Sequence, residues 1–307
     1  MRAAVLRSVG AVPEVGEFPD PIARDGQEVV NVSVAGLNPV DLARASGSMG
    51  DPVLPSVVGR EGVGRLKDGT RVYFNPSLSP YGSWGQRTLV KQDRTFPVPD
   101  DLDDGLAVAM GIPGLAAWIP LEHHARLQPG ENVLVLGATG IVGQIAVQAA
   151  KILGAGRVVA AARHSDALAA ITALGADALV TLGADDDADA LKSEAGDGYD
   201  VVIDPLYAAP FEAALGATAA GARLVTIGQT AGATATIAFR ALQGRTHIGH
   251  GNQSVADHVL RDAYAKLTQH AAAGRIHVEV RRYDLDHAPD AWKAQADGPH
   301  CKLVITF

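Results

Sequence analysis

Between about residues 109 and 270, short apolar runs alternate with alanine-rich stretches. The apolar runs predict strands at 132–136, 158–162, 177–181, 200–204 and 222–227. The stretches between them predict helices at about 141–153, 166–174, 185–194 and 208–219, and a further helix is predicted at about 255–273. Strand–helix alternation of this kind is typical of a parallel, doubly wound sheet, and hence of an α/β fold.

The two ends of the chain have a different pattern. Residues 1–108 contain short β-like runs broken by glycine and proline, such as "EVVNVSVAGL" and "TRVYF", which are typical of an irregular β-barrel. Strand-like runs return after 271, in "HVEVRRYDL" and "CKLVITF". We therefore predict a β domain built from 1–108 together with 271–307, and an inserted α/β domain at 109–270. The acidic run "ADDDADA" (184–190) predicts a solvated helix start.

Composition and charge narrow the functional classes. The 307 residues are 47% hydrophobic and 20% charged, which suits two globular domains. The formal net charge is −8 and no Lys/Arg block occurs, which argues against a nucleic-acid partner. No apolar run reaches about 18 residues, and "MRAAVLRSVG" resembles a strand more than a signal peptide, so we expect no membrane span and a cytoplasmic location. The single cysteine, Cys301, excludes an internal disulfide and a multi-cysteine zinc site.

A glycine-rich turn joins the first predicted strand to its helix, in "VLVLGATGIVG" (133–143). Gly140 and Gly143 fit the second and third glycines of a dinucleotide fingerprint, with Ala138 at the first place and Gly137 just before it. Backbone N–H groups of residues 139–142 (Thr139, Gly140, Ile141 and Val142) would then point at a pyrophosphate. The alternative is a tight turn whose glycines serve packing alone. No Lys-Ser/Thr pair follows Gly143, so a triphosphate-binding loop is not supported.

The end of the second predicted strand indicates which dinucleotide binds. It ends in "VVAAARHSDAL", without the carboxylate that usually binds the ribose hydroxyls of NAD. Arg163 and His164 follow the alanines, and Arg163 can pair with a 2′-phosphate unless it is a plain surface residue. Ser165 can donate a hydrogen bond to the phosphate or cap the next helix. The sequence therefore favours NADPH over NADH.

Longer motifs indicate a family. They are "AGLNPVDLARASG" (35–47), "LPSVVGREGVG" (54–64), "GIPGLAAW" (111–118), "LQPGENVLVLGATGIVGQIAVQAAKILGA" (127–155) and "LGADALV" (174–180). With them, nearly the whole chain resembles the zinc-free quinone oxidoreductase group of the medium-chain dehydrogenase/reductase superfamily. The resemblance implies a GroES-like β-barrel catalytic domain, a doubly wound Rossmann domain and an active site in the cleft between them.

The zinc ligands of metal-dependent relatives are replaced here. Asn38 stands at the position of their early cysteine and Arg60 at that of their histidine, and the four-cysteine zinc lobe is missing. Among the other histidines, His123 and His124 diverge on a helix, while His247 and His250 can face one site but lack a third ligand. The sequence therefore predicts no metal site.

The resemblance implies that NADPH supplies a hydride to a quinone or an α,β-unsaturated carbonyl. Asn38 and Asp41 match the family's "NPVD" motif near the nicotinamide. Asn38 can donate a hydrogen bond to the substrate oxygen or act as a turn residue before Pro39, and Asp41 can take part in chemistry or cap a helix beginning near Leu42. Two departures weaken this assignment: Ser48 and Met49 stand where relatives carry a tyrosine, and Ala116 replaces a threonine.

The remaining candidates come from position in the family pattern. Tyr73, Trp84, His250 and Asn252 are possible cleft residues, although Tyr73 can equally be a barrel core aromatic and Trp84 can pack under a turn. Gly228 and Gln229, in "RLVTIGQTAG", are expected beside the nicotinamide. Lys302 either reaches the cofactor phosphates or lies on the surface.

Three functions remain open at this point. The leading one is a zinc-independent, NADPH-dependent reductase acting on a small-molecule substrate. The second is an NADPH-binding redox sensor or structural dimer with little catalysis, and the third, disfavoured by the missing ligands, is a zinc alcohol dehydrogenase. The resemblance also implies a homodimer, with "ATATIAF" (233–239) near the pairing edge.

Overall fold

The computed structural model describes residues 1–183 and 186–307, and it divides the chain into two compact units. The first unit consists of Met1–Ile112, Tyr264–Ala273 and Val278–Phe307, and the second of Pro113–Ala263 and Gly274–His277. The first unit extends four residues past the predicted boundary at 108 because Gly111 packs directly on Tyr73. A Cβ at Gly111 would lie 2.3 Å from the Tyr73 hydroxyl oxygen.

Residues 1–111 contain eight strands and two α-helices. The strands are β1 (Arg2–Leu6), β2 (Glu14–Glu17), β3 (Gln27–Gly36), β4 (Ser56–Val57), β5 (Gly62–Arg65), β6 (Arg71–Phe74), β7 (Arg87–Lys91) and β8 (Thr95–Pro97). The helices are α1 (Pro39–Ala45) and α2 (Asp104–Ala109).

The middle of the chain alternates strands and helices. The strands are β9 (Asn132–Leu136), β10 (Arg157–Ala162), β11 (Ala178–Thr181), β12 (Tyr199–Asp204), β13 (Thr218–Thr226) and β14 (Thr246–Gly249). The helices are α3 (Ile112–Ile119), α4 (Ile141–Ile152), α5 (Ser165–Ala169), α6 (Asp187–Glu194), α7 (Ala208–Leu215) and α8 (Phe239–Leu242). A π-helical segment, Pro120–His124, continues α3.

The C-terminal part returns to the first unit. It contains α9 (Asp257–Ala272), β15 (Val280–Asp284), α10 (Ala288–Ala296) and β16 (Lys302–Thr306). Strands β15 and β16 join β3, β5, β6, β7 and β8 in a seven-stranded sheet, and β2, β1 and β4 form a smaller antiparallel sheet. Strands from both ends of the chain therefore pair in one sheet, and Tyr264–Ala273, most of which was predicted in the inserted domain, also belongs to the first unit.

In the second unit all pairings are parallel, in the order β11-β10-β9-β12-β13-β14. This is the order of a doubly wound dinucleotide-binding sheet, whose ligands lie beyond the carboxyl ends of the strands where the order reverses, between β9 and β12. The core on one side of this sheet contains Leu134, Val159, Val202 and Leu224, all fully buried. The predicted parallel sheet is confirmed.

The predicted elements differ from the observed ones mainly at their ends. The helix predicted over 166–174 is a five-residue α-helix followed by a 3-10 turn, Ala170–Leu174. The helix predicted over 208–219 ends at Leu215, because β13 already begins at Thr218. In the acidic run, α6 begins at Asp187, while residues 184 and 185 lie outside the described part of the chain.

The edge strand of the parallel sheet is not the segment 233–239 itself, which was expected only to lie near that edge. Residues 233–238 form no strand, and Phe239 begins α8. The strand at this edge is β14, which pairs in register with β13 from Arg223 and Thr246 to Thr226 and Gly249. Throughout residues 1–183 and 186–307, no helix has the length and apolarity needed to cross a membrane.

Candidate active site

Three glycines at the turn between β9 and α4 serve three different purposes. Gly137 has φ +58°, a conformation that other residues rarely adopt. A Cβ at Gly143 would lie 2.5 Å from the carbonyl oxygen of Gly137, so only glycine lets α4 pack this closely on the turn. Gly140 has an ordinary φ of −75°, and a Cβ there would meet nothing closer than 3.4 Å. Packing alone therefore explains Gly137 and Gly143 but not Gly140.

The same turn presents hydrogen-bond donors. Helix α4 begins at Ile141 with Gly140 in the N-cap position. The N–H groups of Ile141 and Val142 are in the first turn of α4, where a helix has no internal acceptors for them, and the helix dipole adds a partial positive charge. Free N–H groups at a helix N-terminus are a common site for phosphate groups, and the side of Gly140 is open here.

The end of β10 presents a cation. Ala162 is the last residue of the strand, and Arg163, His164 and Ser165 that follow are exposed. Arg163 has no hydrogen bond or ion pair to any residue of the described chain. Helix α5 begins at Ser165 with His164 in the N-cap position, so the alternative that Ser165 caps this helix is wrong.

A cavity of about 410 Å³ lies at the carboxyl ends of β12, β13 and β14. It is lined by Tyr207, Thr226, Ile227, Gly228, Gln229, His247, Gly249 and His250. The structure therefore brings together Gly228, Gln229 and His250, which the sequence analysis proposed separately. Gly228 is required there, because a Cβ would lie 2.7 Å from the carbonyl oxygen of Pro205.

His250 is held on both sides of its ring. Its Nδ1 lies 3.1 Å from Nε2 of His124, and its Nε2 lies 2.9 Å from Oδ1 of Asn252. Burial lowers the pKa of His250 to about 4, so the ring is neutral at physiological pH. Asn252 is thus hydrogen-bonded to a residue that lines the cavity, and His124, which lies 126 residues away in sequence, was not predicted as a site residue.

A second polar chain was also missed by the sequence analysis. The fully buried Asp204 at the end of β12 accepts hydrogen bonds at Oδ1 from the N–H groups of Leu206 and Tyr207, at 2.8 and 2.9 Å. Its Oδ2 lies 3.0 Å from Oγ1 of Thr226, which in turn lies 2.9 Å from Nε2 of His247. Burial raises the pKa of Asp204 and lowers that of His247. The available signal was a polar residue on each of three successive strands, at the carboxyl end of the first two.

In the first unit, Glu61 is the centre of a buried polar cluster. Its Oε1 accepts hydrogen bonds from Asn38 Nδ2 at 2.8 Å and Lys302 Nζ at 2.7 Å. Its Oε2 accepts from the Tyr73 hydroxyl and from the backbone N–H of Ile112, both at 2.7 Å. All four carboxylate contacts come from buried or half-buried groups, so the cluster compensates the cost of burying the charge of Glu61.

This cluster corrects the expectations for Lys302. The side chain is 1% exposed, which makes the surface alternative wrong. Besides Glu61, its Nζ donates to the carbonyl oxygen of Leu37 at 3.1 Å and to Asn38 Oδ1 at 2.8 Å. An ammonium group has three N–H donors, and all three are used, so none is left for a cofactor phosphate.

Asn38 and Asp41 belong to the start of α1. Asn38 is the N-cap residue, and its side chain is bonded to Glu61 and Lys302, so its amide is held inside the unit. Asp41 lies in the first turn of this helix, and its Oδ2 accepts a hydrogen bond from the backbone N–H of the N-cap residue Asn38 at 2.9 Å. The expected capping role is therefore correct, but the helix begins at Pro39 rather than near Leu42. Burial, followed by the charge of Glu61, raises the pKa of Asp41 to about 7.

Two aromatic candidates lie in the core. Tyr73 is fully buried, its ring stacked on that of Tyr264 with centroids 4.6 Å apart. Trp84 is also fully buried, donates from Nε1 to the carbonyl oxygen of Gly36 at 3.1 Å and packs edge-on against Trp292. The expectation that Tyr73 and Trp84 face a substrate is therefore wrong, and the core alternatives hold.

The residues present do not fit a zinc ion. Asn38 and Arg60 occupy the positions of the expected ligands, and Asn38 is already bonded to Glu61 and Lys302. Within residues 1–183 and 186–307, no group of three or more His, Cys, Asp or Glu side chains is placed to hold a metal.

Comparison with known proteins gives the family. Residues 142–269 match the family described as zinc-binding dehydrogenase. The chain is 31% identical over 298 residues to a subunit of the phenolphthiocerol/phthiocerol polyketide synthase of Mycobacterium tuberculosis, a match that covers 92% of this chain and 14% of that protein. It is 30% identical over 220 residues to the quinone oxidoreductase of Rattus norvegicus, covering 68% of this chain and 66% of the relative.

A solved structure matches this chain over its whole length. The quinone oxidoreductase of Thermus thermophilus, whose structure was also determined in complex with NADPH, matches with a TM-score of 0.85 and 30% identity over 100% of each chain. This chain belongs to the quinone oxidoreductase group of the medium-chain dehydrogenase/reductase superfamily. The second unit of this quinone oxidoreductase homologue is its Rossmann domain, and the first is its GroES-like domain, as the sequence resemblance predicted.

Proposed function

We propose that the protein is an NADPH-dependent, zinc-independent oxidoreductase that reduces quinones or α,β-unsaturated carbonyls. The observation that carries this proposal is the turn from Gly137 to Gly143, where Gly140 leaves room that the protein's own packing does not use. The rat and Thermus relatives are quinone oxidoreductases, which supports the same reaction class.

The second unit supplies groups for each part of the cofactor. The N–H groups of Ile141 and Val142 bind the pyrophosphate, and Arg163 pairs with the 2′-phosphate. The cavity at Gly228, Gln229 and His250 receives the nicotinamide, and His250, neutral at physiological pH, is held by Asn252 behind it. When bound, the cofactor supplies a hydride to the acceptor carbon or quinone.

In the first unit, the buried cluster supports the reaction indirectly. Glu61 and Lys302 hold the side chain of Asn38, and Asp41 holds its backbone N–H. We therefore assign Asn38 and Asp41 a positioning role at the start of α1 rather than direct contact with substrate.

A second candidate function is NADPH binding with little catalysis, as in a redox sensor or structural dimer. Ala116 and the pair Ser48 and Met49, which stand where relatives carry a threonine and a tyrosine, favour it. A homodimer fits either function, since β14 lies at an edge of the parallel sheet with three of its four residues exposed.

A turnover assay with purified protein distinguishes these functions. A panel of quinones and enones is mixed with NADPH or NADH, with and without a strong chelator, and loss of reduced nicotinamide absorbance is followed. We expect oxidation that is faster with NADPH and unchanged by the chelator. NADPH binding without oxidation by any acceptor would support the second candidate, and activity that needs added zinc would contradict the proposal.

A further inference from the structure

Three polar side chains form a continuous hydrogen-bonded chain at one end of the parallel sheet. Asp204, Thr226 and His247 lie on β12, β13 and β14, which are neighbours in the sheet. The Asp204 Oδ2–Thr226 Oγ1 and Thr226 Oγ1–His247 Nε2 distances are 3.0 and 2.9 Å. Thr226 and His247 line the cavity that also contains Gly228 and Gln229, whereas Asp204 is fully buried.

The chemistry of these groups allows two proton arrangements. A hydroxyl has one hydrogen to donate, and a neutral imidazole has one N–H. If Asp204 is ionised, Thr226 donates to Asp204 and His247 donates from Nε2, which leaves Nδ1 without a proton. If Asp204 is protonated, it donates to Thr226, Thr226 donates to Nε2, and the imidazole proton is on Nδ1. Gain or loss of one proton at Nδ1 therefore converts one arrangement into the other.

We propose that Asp204, Thr226 and His247 form a proton relay that delivers a proton from Nδ1 of His247 to the reduced substrate in this cavity. The inference rests on the proposed function, which leaves the proton donor unassigned. His247 would be the catalytic residue, and Asp204 and Thr226 would be positioning residues that supply the proton to its other nitrogen.

The transfers balance. After a hydride has reached the β-carbon of an enone, the π electrons of the carbon–carbon double bond shift and leave an enolate. The Nδ1–H bond of His247 breaks with its electron pair on nitrogen, and the proton goes to the substrate. Nε2 takes the proton of Thr226, and Thr226 takes that of Asp204, which becomes a carboxylate. A proton from water at Nδ1 reverses the shifts and restores the donor.

The surroundings favour this pathway over a charged imidazole. Burial raises the pKa of Asp204, which brings its protonation closer to neutral pH. The His247 side chain is exposed on one side, and its partial desolvation lowers its pKa more than the charge of Asp204 raises it, which disfavours an imidazolium. The groups packed on the His247 ring are Tyr207, with centroids 6.3 Å apart, and Phe211, at 4.7 Å. Neither carries a charge that would replace the Asp204 proton.

His250, the other histidine of the cavity, is less suited to donate. Both of its ring nitrogens have protein partners, His124 and Asn252. Nδ1 of His247, in contrast, has no partner among residues 1–183 and 186–307. His247 is thus the cavity histidine with a nitrogen available to a ligand.

The relay can be tested without substrate, by nitrogen NMR of the imidazole with His247→Gln used to assign the signal. We expect the His247 proton on Nε2 at high pH and on Nδ1 after acidification. Thr226→Ser keeps a hydroxyl and should keep this shift, whereas Thr226→Val should abolish it. An imidazolium forming directly in the wild type, or equal behaviour of the serine and valine variants, would overturn the relay.

Kinetics then test delivery to substrate. Thr226→Val should lower kcat about 100-fold, within the range for loss of general acid catalysis, while NADPH affinity stays within about twofold. The kcat of Thr226→Ser should stay within about fivefold of the wild-type value, and this variant should keep the solvent deuterium isotope effect of the wild type. It should also keep the wild-type pH profile, in which kcat falls as the pH rises because Asp204 loses its proton. If Thr226→Val does not fold, His247→Gln should give the same loss of kcat and no dependence on the Asp204 proton.

The two proposals fail in different ways. If none of the quinones and enones supports NADPH oxidation by the wild type, the proposed function is overturned. The delivery step then fails with it, even if the tautomer shift is observed. An active wild type whose kcat and isotope effect are unchanged by Thr226→Val overturns the relay alone.

Discussion

Nζ of Lys302 lies 2.7 Å from Oε1 of Glu61, and neither side chain is more than 1% exposed. Removing one partner of such a pair leaves the other charge buried without compensation, at a typical cost of about 3–5 kcal/mol. Lys302→Met should therefore lower the free energy of unfolding by about that amount in urea titrations. Lys293→Met, at an exposed position of the same unit, is the control and should change it by less than about 0.5 kcal/mol. Equal stability of the two variants would show that the pair is dispensable.

The raised pKa of Asp41 predicts a pH-dependent stability. Its pKa moves from 3.8 to about 7 on folding, so its favourable contribution is complete below about pH 4 and is lost as the pH rises through about 7. As the pH rises from about 4 to about 7, the free energy of unfolding of Asp41→Asn should therefore increase relative to that of the wild type, by at most about 1.4 kcal/mol per pH unit. Urea unfolding at pH 5 and pH 8 measures the difference.

Asp290→Asn removes one negative charge at an exposed position of the same unit and controls for net charge. If the free energies of unfolding of both asparagine variants change between pH 5 and pH 8 by the same amount as that of the wild type, Asp41 does not titrate as described.

The glycine turn offers a matched pair of substitutions. Gly143→Ala forces a Cβ to 2.5 Å from the Gly137 carbonyl oxygen and should cost about 1–3 kcal/mol of stability, as overpacking does. Gly140→Ala meets nothing closer than 3.4 Å and should fold normally, yet it should weaken NADPH because the methyl group occupies the space of the pyrophosphate. Thermal unfolding and cofactor titration of both variants measure these effects. Unchanged NADPH affinity in Gly140→Ala would place the pyrophosphate elsewhere.

The exposed edge of the parallel sheet predicts self-association. A homodimer that pairs β14 across a two-fold axis would satisfy its free backbone groups and double the mass of 31.7 kDa. Sedimentation at micromolar concentration should give that doubled mass. A monomer under these conditions would contradict the dimer.

The sequence predicts the repeating α/β pattern well because each strand and helix has its own local signal. The close packing at Gly143 also follows from the sequence, since a glycine at that place in a strand–turn–helix has a local steric reason. Tyr73 and Trp84 could not be assigned to core or cleft, because an aromatic residue in a β-rich stretch looks the same in either place until the strand pairing is known.

Contacts between distant segments are the main part of the site that sequence reasoning missed. Lys302 reaches Glu61 across 241 residues because β16 lies beside β3, and His124 meets His250 across 126 residues. The chain of Asp204, Thr226 and His247 likewise requires the order of β12, β13 and β14. Each residue alone looks like an ordinary polar group on a strand, and only the sheet order makes them neighbours.

The central claim is that the second unit binds NADPH through the glycine turn and through Arg163, and cofactor titration by fluorescence tests it most directly. Arg163 is exposed and without a partner in the described chain, so its guanidinium is available to the 2′-phosphate. A hydrogen bond to a charged group contributes about 1.5–3 kcal/mol, which corresponds to roughly 10- to 100-fold in affinity. Arg163→Ala should weaken NADPH by that factor and leave NADH almost unchanged, and Ala162→Asp combined with Arg163→Ala should shift the preference toward NADH. Equal weakening of both cofactors, or a wild type that prefers NADH, would contradict the account.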